Sequence, residues 1–294
     1  MLKFFCCLCS ITLFLLQAGY PQTLKLTLEW LLNPHHAPLV VAITQGYFAE
    51  EGLSVELIQA QGSLEGCIQV AAGTADLALT NEAQWVIQQD KGLVLEPVMT
   101  LIAEPLEVFV SSVPLGQLRG KRIGHASSGV GFSAAVLKHI LLNQGLTEKD
   151  IMAVHTKHGL VAALLSGQVE AIINAYRTYA TLDLKGHGQA YYMYPYESLG
   201  IPVFAAQIMV ANPKVSAATR QALRRALTKA CDFLKDDPAR AWHIFKTTYP
   251  EMDTVNNKLI WPSVAALFKV DPFPANTENH QKLKTFLKLY QLTQ

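Results

Sequence analysis

Apolar and polar positions along this chain follow one repeating pattern: a short apolar run, a polar turn and then a longer amphipathic stretch. The first unit covers residues 26–53, where an apolar run leads into the turn at residues 33–36 and a helical stretch ends at Gly46. A short apolar run fits a buried strand, and an amphipathic stretch that stops at glycine fits a helix. The order strand, helix, strand predicts parallel βαβ units.

The same pattern occurs in two tandem halves of similar length. The first half has predicted strands or β-type stretches at residues 55–58, 76–79, 93–102 and 107–112. The second half has predicted strands that end near residue 125 and lie at residues 151–155 and 170–173. Predicted helices connect them, so we expect two α/β lobes and not a short-period repeat array.

The last third of the chain changes character. Residues 200–211 are apolar and predict one strand that returns to the first lobe, and the chain is almost wholly helical from residue 215. We expect this helical tail to pack on the sheet of the first lobe. The predicted lobes are residues 21–109 plus 206–294, and residues 110–205. Two crossings between lobes form a hinge that can close a cleft around a small molecule.

The first residues form a separate segment. Lys3 provides a basic start, residues 4–16 are apolar, and residues 17–20 include small side chains. The apolar run is shorter than the ~20 residues that span a bilayer as a helix, so residues 1–20 are predicted to be an export signal peptide. We expect a periplasmic protein, either soluble after cleavage or tethered by an uncleaved signal.

Composition narrows the classes of function. Half of the 294 residues are hydrophobic, 16% are charged and the formal net charge is +1, which is typical of a globular chain and gives no case for a nucleic-acid partner. Outside the predicted signal, Cys67 and Cys231 lie in apolar helical patterns that favour buried free thiols. Outside the predicted signal no CxxC or HExxH motif occurs, so we expect no metal site.

Candidate binding chemistry begins in the first turn. An aromatic ring (Trp30), an amide (Asn33) and an imidazole (His36) follow the first predicted strand, at the edge where an open α/β sheet binds its ligand. No acid stands close enough in sequence to suggest a catalytic pair, and His35 is expected to be a bystander. This set predicts a site for a polar heterocycle.

Two other turns have both a structural and a functional interpretation. Ser127, Ser128 and Gly129 precede a predicted helix, where they either cap the helix or bind a polar group of a ligand. Asn81 and Glu82 either cap another helix or contact a ring nitrogen and amine. The residues themselves leave both alternatives open.

Residues 30–57, WLLNPHHAPLVVAITQGYFAEEGLSVEL, resemble the opening of the thiamine-pyrimidine group of periplasmic binding proteins. The segments GTADLAL, LRGKRIG and GQVEAII follow in that family's order, at residues 73–79, 118–124 and 167–173. The resemblance implies an α/β fold of the periplasmic-binding-protein type II, with two lobes, two hinge strands and a helical C-terminal extension. It also implies a receptor that delivers a hydroxymethylpyrimidine or formylaminopyrimidine to the membrane subunit of an ABC importer.

The resemblance further implies a set of ligand-binding residues. In the first lobe and at the hinge these are Trp30, Asn33, His36, Asn81, Glu82 and Phe204, and in the second lobe they are Ser127, Ser128, Gly129 and Tyr176. The chain departs from the family at Leu31 and Leu32, where a more polar pair is usual. We expect a monomer with no catalytic residue, cofactor or metal.

The same superfamily includes a fungal-type pyrimidine synthase that uses pyridoxal phosphate and an active-site histidine. Where that enzyme has its cofactor lysine and its histidine, this chain has Thr80 and Gln84, and residues 200–204 replace its CCCFC run. A chain without that amine, imidazole and thiolates is predicted not to catalyse the reaction. A divergent synthase and a sulfonate or nitrate receptor are the alternatives.

Overall fold

Two five-stranded sheets form the framework of the protein. The computed structural model describes residues 22–126, 131–156, 159–184 and 190–294, and the predicted export signal lies outside these ranges. The strands are β1 Gln22–Thr27, β2 Leu53–Ile58, β3 Leu77–Thr80, β4 Glu96–Ile102, β5 Glu107–Ser111, β6 Arg122–His125, β7 Met152–His155, β8 Ala171–Tyr176, β9 Tyr192–Pro195 and β10 Gln207–Ala211. The helices are α1 Ala37–Thr44, α2 Tyr47–Glu50, α3 Ser63–Ala72, α4 Glu82–Asp90, α5 Phe132–Asn143, α6 Leu160–Leu165, α7 Arg177–Leu184, α8 Ala217–Asp236, α9 Pro238–Thr248, α10 Val255–Ala265 and α11 Thr277–Leu289.

The two sheets have matching topology. The first has the order β2-β1-β3-β10-β4, in which β1 is parallel to both neighbours and β10 is antiparallel to β3 and β4. The second has the order β7-β6-β8-β5-β9, in which β6 is parallel to both neighbours and β5 is antiparallel to β8 and β9. In each sheet, the antiparallel strand is the first one after the chain crosses from the other sheet. The predicted two-lobe α/β fold is confirmed.

Both crossings lie at the carboxyl edges of the parallel strands. The chain leaves β4 at Ile102 and enters β5 at Glu107, which lies opposite Tyr176 at the end of β8. It returns into β10 at Gln207, which lies opposite Ile102. Since ligands of open α/β sheets bind outside the carboxyl ends of strands, the space between these two edges is the expected cleft. The strands place the crossings at residues 103–106 and 196–206, and the exact lobe boundaries, 109/110 and 205/206, stay predictions.

The long strand predicted at residues 200–211 is much shorter than expected. Regular pairing begins only at Gln207. Gly200 has a φ of 82°, which ends the preceding turn, and Pro202 has no amide hydrogen to donate to a ladder. These two residues make the second crossing an extended connection and not a strand.

The helical tail packs on both lobes, whereas the sequence predicted contact with the first lobe only. Helices α8 and α9 pack on α1 of the first lobe. Helix α10 contacts α7 of the second lobe, where the Tyr179 hydroxyl donates to Oδ1 of Asn257 (3.2 Å). Helix α11 places Phe286 against Phe132 of the second lobe, with ring centroids 6.3 Å apart. The tail therefore connects the lobes on two helices.

Both cysteines in the described ranges are buried free thiols, as predicted. Burial raises the pKa of the Cys67 thiol to about 11 and that of Cys231 to about 12. Such thiols react poorly because the thiolate is the nucleophile. In the described part of the chain, no helix combines the length and apolar character needed to cross a membrane.

Candidate functional site

The first polar turn is built by its own hydrogen bonds. After β1 ends, Asn33 caps the 3-10 turn Pro34–His36 that leads into α1. Oδ1 of Asn33 accepts from the backbone N–H of His35 (2.9 Å), and Nδ2 donates to the carbonyl of Leu31 (2.9 Å). Asparagine at the cap and proline at the first position are the residues that such a start favours. Asn33 stays half-buried, so its side chain has a capping role and a partly open surface.

His36 lies inside the first lobe and has 0% exposure, so it does not form the hydrogen-bonding wall of the cleft that the sequence predicted. Its Nδ1 accepts from the backbone N–H of Asn33 (3.1 Å), and its Nε2 lies 3.1 Å from a carboxylate oxygen of Glu29. The other oxygen of Glu29 accepts from Nε2 of Gln207 (3.0 Å). Both ring nitrogens of His36 are therefore used by the protein.

Glu29 is a residue that the sequence analysis missed. It stands seven positions before His36, which is too far for a local pattern, and the turn brings the two side chains together. Burial acts to raise the pKa of Glu29, but the His36 ring and the amide of Gln207 hold it below its usual value. A buried carboxylate with two hydrogen-bond donors is stable as an anion.

His35, the expected bystander, forms one of the contacts between the lobes. Its ring packs edge-on against Tyr176, with centroids 5.3 Å apart, and lies 5.8 Å from the ring of Tyr179. Its Nε2 is 3.4 Å from the hydroxyl of Thr178. Burial, with a smaller effect of His36, lowers the pKa of His35 to about 3, so the ring is neutral at physiological pH.

Asn81 and Glu82 have the structural roles that the sequence left open. Oδ1 of Asn81 accepts from the backbone N–H of Gln84 (2.8 Å) and caps α4. Glu82 is buried; one oxygen accepts from the backbone N–H of Ala205 (2.7 Å), and the other lies 2.7 Å from Nδ1 of His280. Glu82 thus joins α4 to the second crossing and to α11, and its carboxylate has no free edge for a ligand amine.

The other predicted residues, at the hinge and in the second lobe, have different environments. Phe204 is 1% exposed and packs edge-on against Phe132, with centroids 5.0 Å apart, so it belongs to the core and not to the cleft surface. Tyr176 is half-buried at the end of β8. Ser127, Ser128 and Gly129 lie outside the described residues.

Asn174 is a second residue that sequence reasoning missed. It has a φ of 64°, in the left-handed region, at an irregularity in the pairing of β8 with β5. Its backbone N–H donates to the Tyr196 hydroxyl (3.0 Å), and its side-chain amide bonds both that hydroxyl and Ser133. Left-handed backbone is uncommon outside glycine and tends to occur at functional sites. An asparagine inside an otherwise apolar strand was the available signal.

Half-buried aromatic and amide side chains lie near the carboxyl edges of both sheets. Trp30, Asn33 and Asn81 follow the ends of strands in the first sheet, and Asn174 and Tyr176 lie at the end of β8 in the second. Side chains of these types can enclose a flat polar ring by stacking and hydrogen bonding. Within the described ranges, no three His, Cys, Asp or Glu side chains are grouped as metal ligands.

The chain is similar in sequence or in structure to several known proteins. The chain is 31% identical over 277 residues to a Haemophilus influenzae protein whose name assigns it to thiamine biosynthesis, covering 91% of this chain and 87% of that one. It is 25% identical over 240 residues to the formylaminopyrimidine-binding protein of Halalkalibacterium halodurans, covering 78% and 72%. The alkanesulfonate-binding protein SsuA of Xanthomonas axonopodis pv. citri superposes with a TM-score of 0.69 at 17% identity, covering 94% and 96%.

The structural likeness confirms the predicted periplasmic-binding-protein-like fold. The sequence match is more specific: residues 33–241 match the family model described as NMT1/THI5 like. That span contains the first turn, both crossings and the whole of the second sheet. The chain therefore belongs to the NMT1/THI5-like family.

Proposed function

We propose that this protein is the extracytoplasmic solute-binding protein of an ABC importer and captures a pyrimidine thiamine precursor of the hydroxymethylpyrimidine or formylaminopyrimidine type. The observation that carries this proposal is the position of both crossings at the carboxyl edges of the sheets, where half-buried aromatic and amide side chains gather. A hinge at the floor of such a cleft suits capture and release of a small molecule. The family relative named for binding formylaminopyrimidine supports the choice of cargo.

In this proposal the ring of the ligand lies between the two sheet edges. Trp30 stacks on the ring, Tyr176 closes on it from the second lobe, and Asn33 and Asn81 donate to its acceptor atoms through the side-chain N–H groups that their hydrogen bonds within the protein leave unused. Ser127, Ser128 and Gly129, which lie outside the described residues, are proposed to contact the ligand as well. His36, Glu82 and Phe204 support this surface from behind, since their polar atoms or rings are engaged inside the protein.

A divergent pyrimidine synthase is the second candidate, because the family includes fungal proteins named 4-amino-5-hydroxymethyl-2-methylpyrimidine phosphate synthase. Thr80, which stands where the synthase has its cofactor lysine, is 0% exposed, and its hydroxyl donates to the carbonyl of Ser63 (3.4 Å). A buried hydroxyl cannot form the imine that pyridoxal phosphate requires. The binding function is therefore the better supported of the two.

Calorimetry tests the proposal. The full chain, exported to the periplasm and purified from it, is titrated with hydroxymethylpyrimidine, formylaminopyrimidine, thiamine, taurine and nitrate. We expect tight binding of at least one of the two pyrimidines and none of taurine or nitrate. Binding of taurine with no response to either pyrimidine would overturn the cargo, and an imine absorbance band after addition of pyridoxal phosphate would restore the enzyme.

The same preparation tests the cellular location and the oligomeric state. We expect the periplasmic protein to start near residue 21 by mass spectrometry and to elute as a monomer. Retention of the intact chain in the membrane fraction would support a tethered receptor.

A further inference from the structure

A pyrimidine of the proposed class carries an exocyclic amine beside a ring nitrogen, and the amine needs a hydrogen-bond acceptor in the cleft. The sequence offered Asn81 and Glu82 for this purpose. Oδ1 of Asn81 is taken by the backbone N–H of Gln84, and both oxygens of Glu82 are taken by Ala205 and His280. Another acceptor is therefore required if the proposed function, on which this inference rests, is correct.

Glu107 is a buried carboxyl at the first crossing. It is the first residue of β5 and lies at the carboxyl edge of the second sheet, with 9% exposure. One oxygen accepts from the backbone N–H of Leu106 (3.0 Å), and no side chain in the described ranges donates to it. Burial of a carboxyl without a side-chain donor is unfavourable in free energy, and a ligand that donates a hydrogen bond to it offsets that unfavourable free energy.

Tyr176 is the cross-strand partner of Glu107. Residues directly opposite each other on antiparallel strands have their side chains on the same face, with Cβ atoms roughly 4.5–5.5 Å apart. The Tyr176 ring is held by the edge-on contact with His35, and its hydroxyl bonds to no other described residue. A carboxyl and a phenol thus lie side by side where the two lobes meet.

We infer that Glu107 and Tyr176 bind the amine edge of the ligand, the carboxyl accepting from the exocyclic N–H and the phenol donating to the adjacent ring nitrogen. The class of ligand is an aromatic heterocycle with an amine next to a ring nitrogen. A sulfonate or nitrate has only acceptor oxygens, so the same carboxyl repels it. Glu107 would therefore select both for the aminopyrimidine and against the anions bound by structurally similar receptors.

The surrounding charges are compatible with this role. Arg177 lies near Glu107, but its guanidinium donates to both oxygens of Glu197 (2.9 and 3.0 Å). Burial raises the pKa of Glu107 to about 7; Arg177 acts to lower it and Glu197 to raise it, and Tyr176 and Tyr196 are the phenols beside it. With this pKa the carboxyl is about half ionised at pH 7, and both its ionised and its protonated form keep an oxygen that can accept from the ligand amine.

The test compares Glu107→Gln and Tyr176→Phe with the control Glu278→Gln, which changes an exposed carboxyl on α11 that pairs with Lys282. Each full-length protein is titrated with formylaminopyrimidine and with the analogue that lacks the 4-amine. We expect Glu107→Gln and Tyr176→Phe each to weaken binding of the amine ligand by about 10- to 100-fold, as for loss of a hydrogen bond to a buried partner. Glu107→Gln and wild type should bind the analogue equally, and Glu278→Gln should match wild type throughout.

Two outcomes separate the inference from the proposed function. In the first, wild type binds formylaminopyrimidine, but Glu107→Gln either keeps its affinity or loses the same affinity for both ligands. This result overturns the inference and leaves the proposed function standing. Wild type that binds neither pyrimidine overturns both. Glu107→Gln removes a buried charge and is expected to fold; should it fail to fold, Tyr176→Phe with the same ligand pair decides the question.

Discussion

The backbone N–H of Asn33 points at Nδ1 of His36 over 3.1 Å, and this contact fixes which ring nitrogen carries the hydrogen. A backbone N–H can only donate, so Nδ1 is the acceptor and Nε2 carries the hydrogen that Glu29 accepts. The turn that begins the candidate site is therefore anchored to the core by a neutral imidazole and an anionic carboxylate. Gln207, at the start of the returning strand, completes the anchor.

Removal of this anchor is expected to destabilise the first lobe. His36→Ala leaves the buried Glu29 carboxylate with one donor fewer, and the loss of a hydrogen bond to a buried charged group costs about 3 kcal/mol. Urea unfolding followed by circular dichroism measures the loss. Lys229→Ala, which breaks the exposed pair with Glu50, is the control and should leave the midpoint unchanged. Equal midpoints for the two variants would show that the buried pair contributes nothing.

His35 is expected to make stability fall in acid. Its pKa is lowered from 6.5 to about 3 by burial, so between these values the unfolded chain binds a proton that the folded chain does not. Stability from this group is fully present above pH 6.5 and is lost as pH falls, by at most about 1.4 kcal/mol per pH unit. His35→Phe keeps the ring contact and removes the titration. The free energy of unfolding of wild type minus that of the variant should rise with pH across this window, and a constant difference would contradict the assignment.

Glu107 is expected to have the opposite effect and to make stability fall as the pH rises. Its pKa is raised from 4.5 to about 7 by burial, so the folded chain binds the proton that the unfolded chain releases. Stability from this group is fully present below pH 4.5 and is lost as pH rises to 7. The free energy of unfolding of wild type minus that of Glu107→Gln should therefore fall over this range and be level above it. A difference that rises instead would place the carboxyl in a polar environment.

The sequence predicted the fold well because the fold depends on local patterns. Apolar runs followed by helical stretches that stop at glycine located most strands of both sheets, and the ends of α9 were predicted without error. The strand β9 was not predicted, and β1 begins and ends earlier than the apolar run that indicated it. The prediction of a strand in the segment before Gln207 was wrong, because apolar character alone does not show that Pro202 cannot pair. The contact of α11 with the second lobe was missed because an amphipathic pattern shows which face is buried and not what covers it.

The site was predicted less well because its contacts join distant parts of the chain. The type of each side chain in the first turn was visible, but its direction was not. His36 turns inward to Glu29, and His35, the expected bystander, turns toward Tyr176. Glu82 looked like a ligand contact because Ala205 and His280, which occupy its oxygens, lie more than a hundred positions away.

Glu82 and His280 should behave as one unit if their role is to join α4 and α11. Glu82→Gln and His280→Ala are measured singly and together by urea unfolding. Because either change removes the same 2.7 Å contact, we expect a coupling energy of about 1–3 kcal/mol, with the double variant little worse than the worse single one. Lys282→Ala, on the same helix and paired with Glu278 at the surface, is the control. Its effect on the free energy of unfolding should add to that of Glu82→Gln without coupling.

Asn174 allows the cost of its backbone to be separated from the cost of its side chain. Both Asn174→Gly and Asn174→Ala remove the bonds to Tyr196 and Ser133, but only glycine adopts a φ of 64° without a steric penalty. We expect alanine to be less stable than glycine by about 1 kcal/mol, the usual cost of left-handed backbone for a residue with a Cβ. If alanine were instead as stable as glycine, β8 would have to relax to a regular strand. That relaxation would turn the end of β8, and with it Tyr176. A comparison of the ligand affinities of the alanine and glycine variants therefore shows whether the left-handed residue positions the cleft.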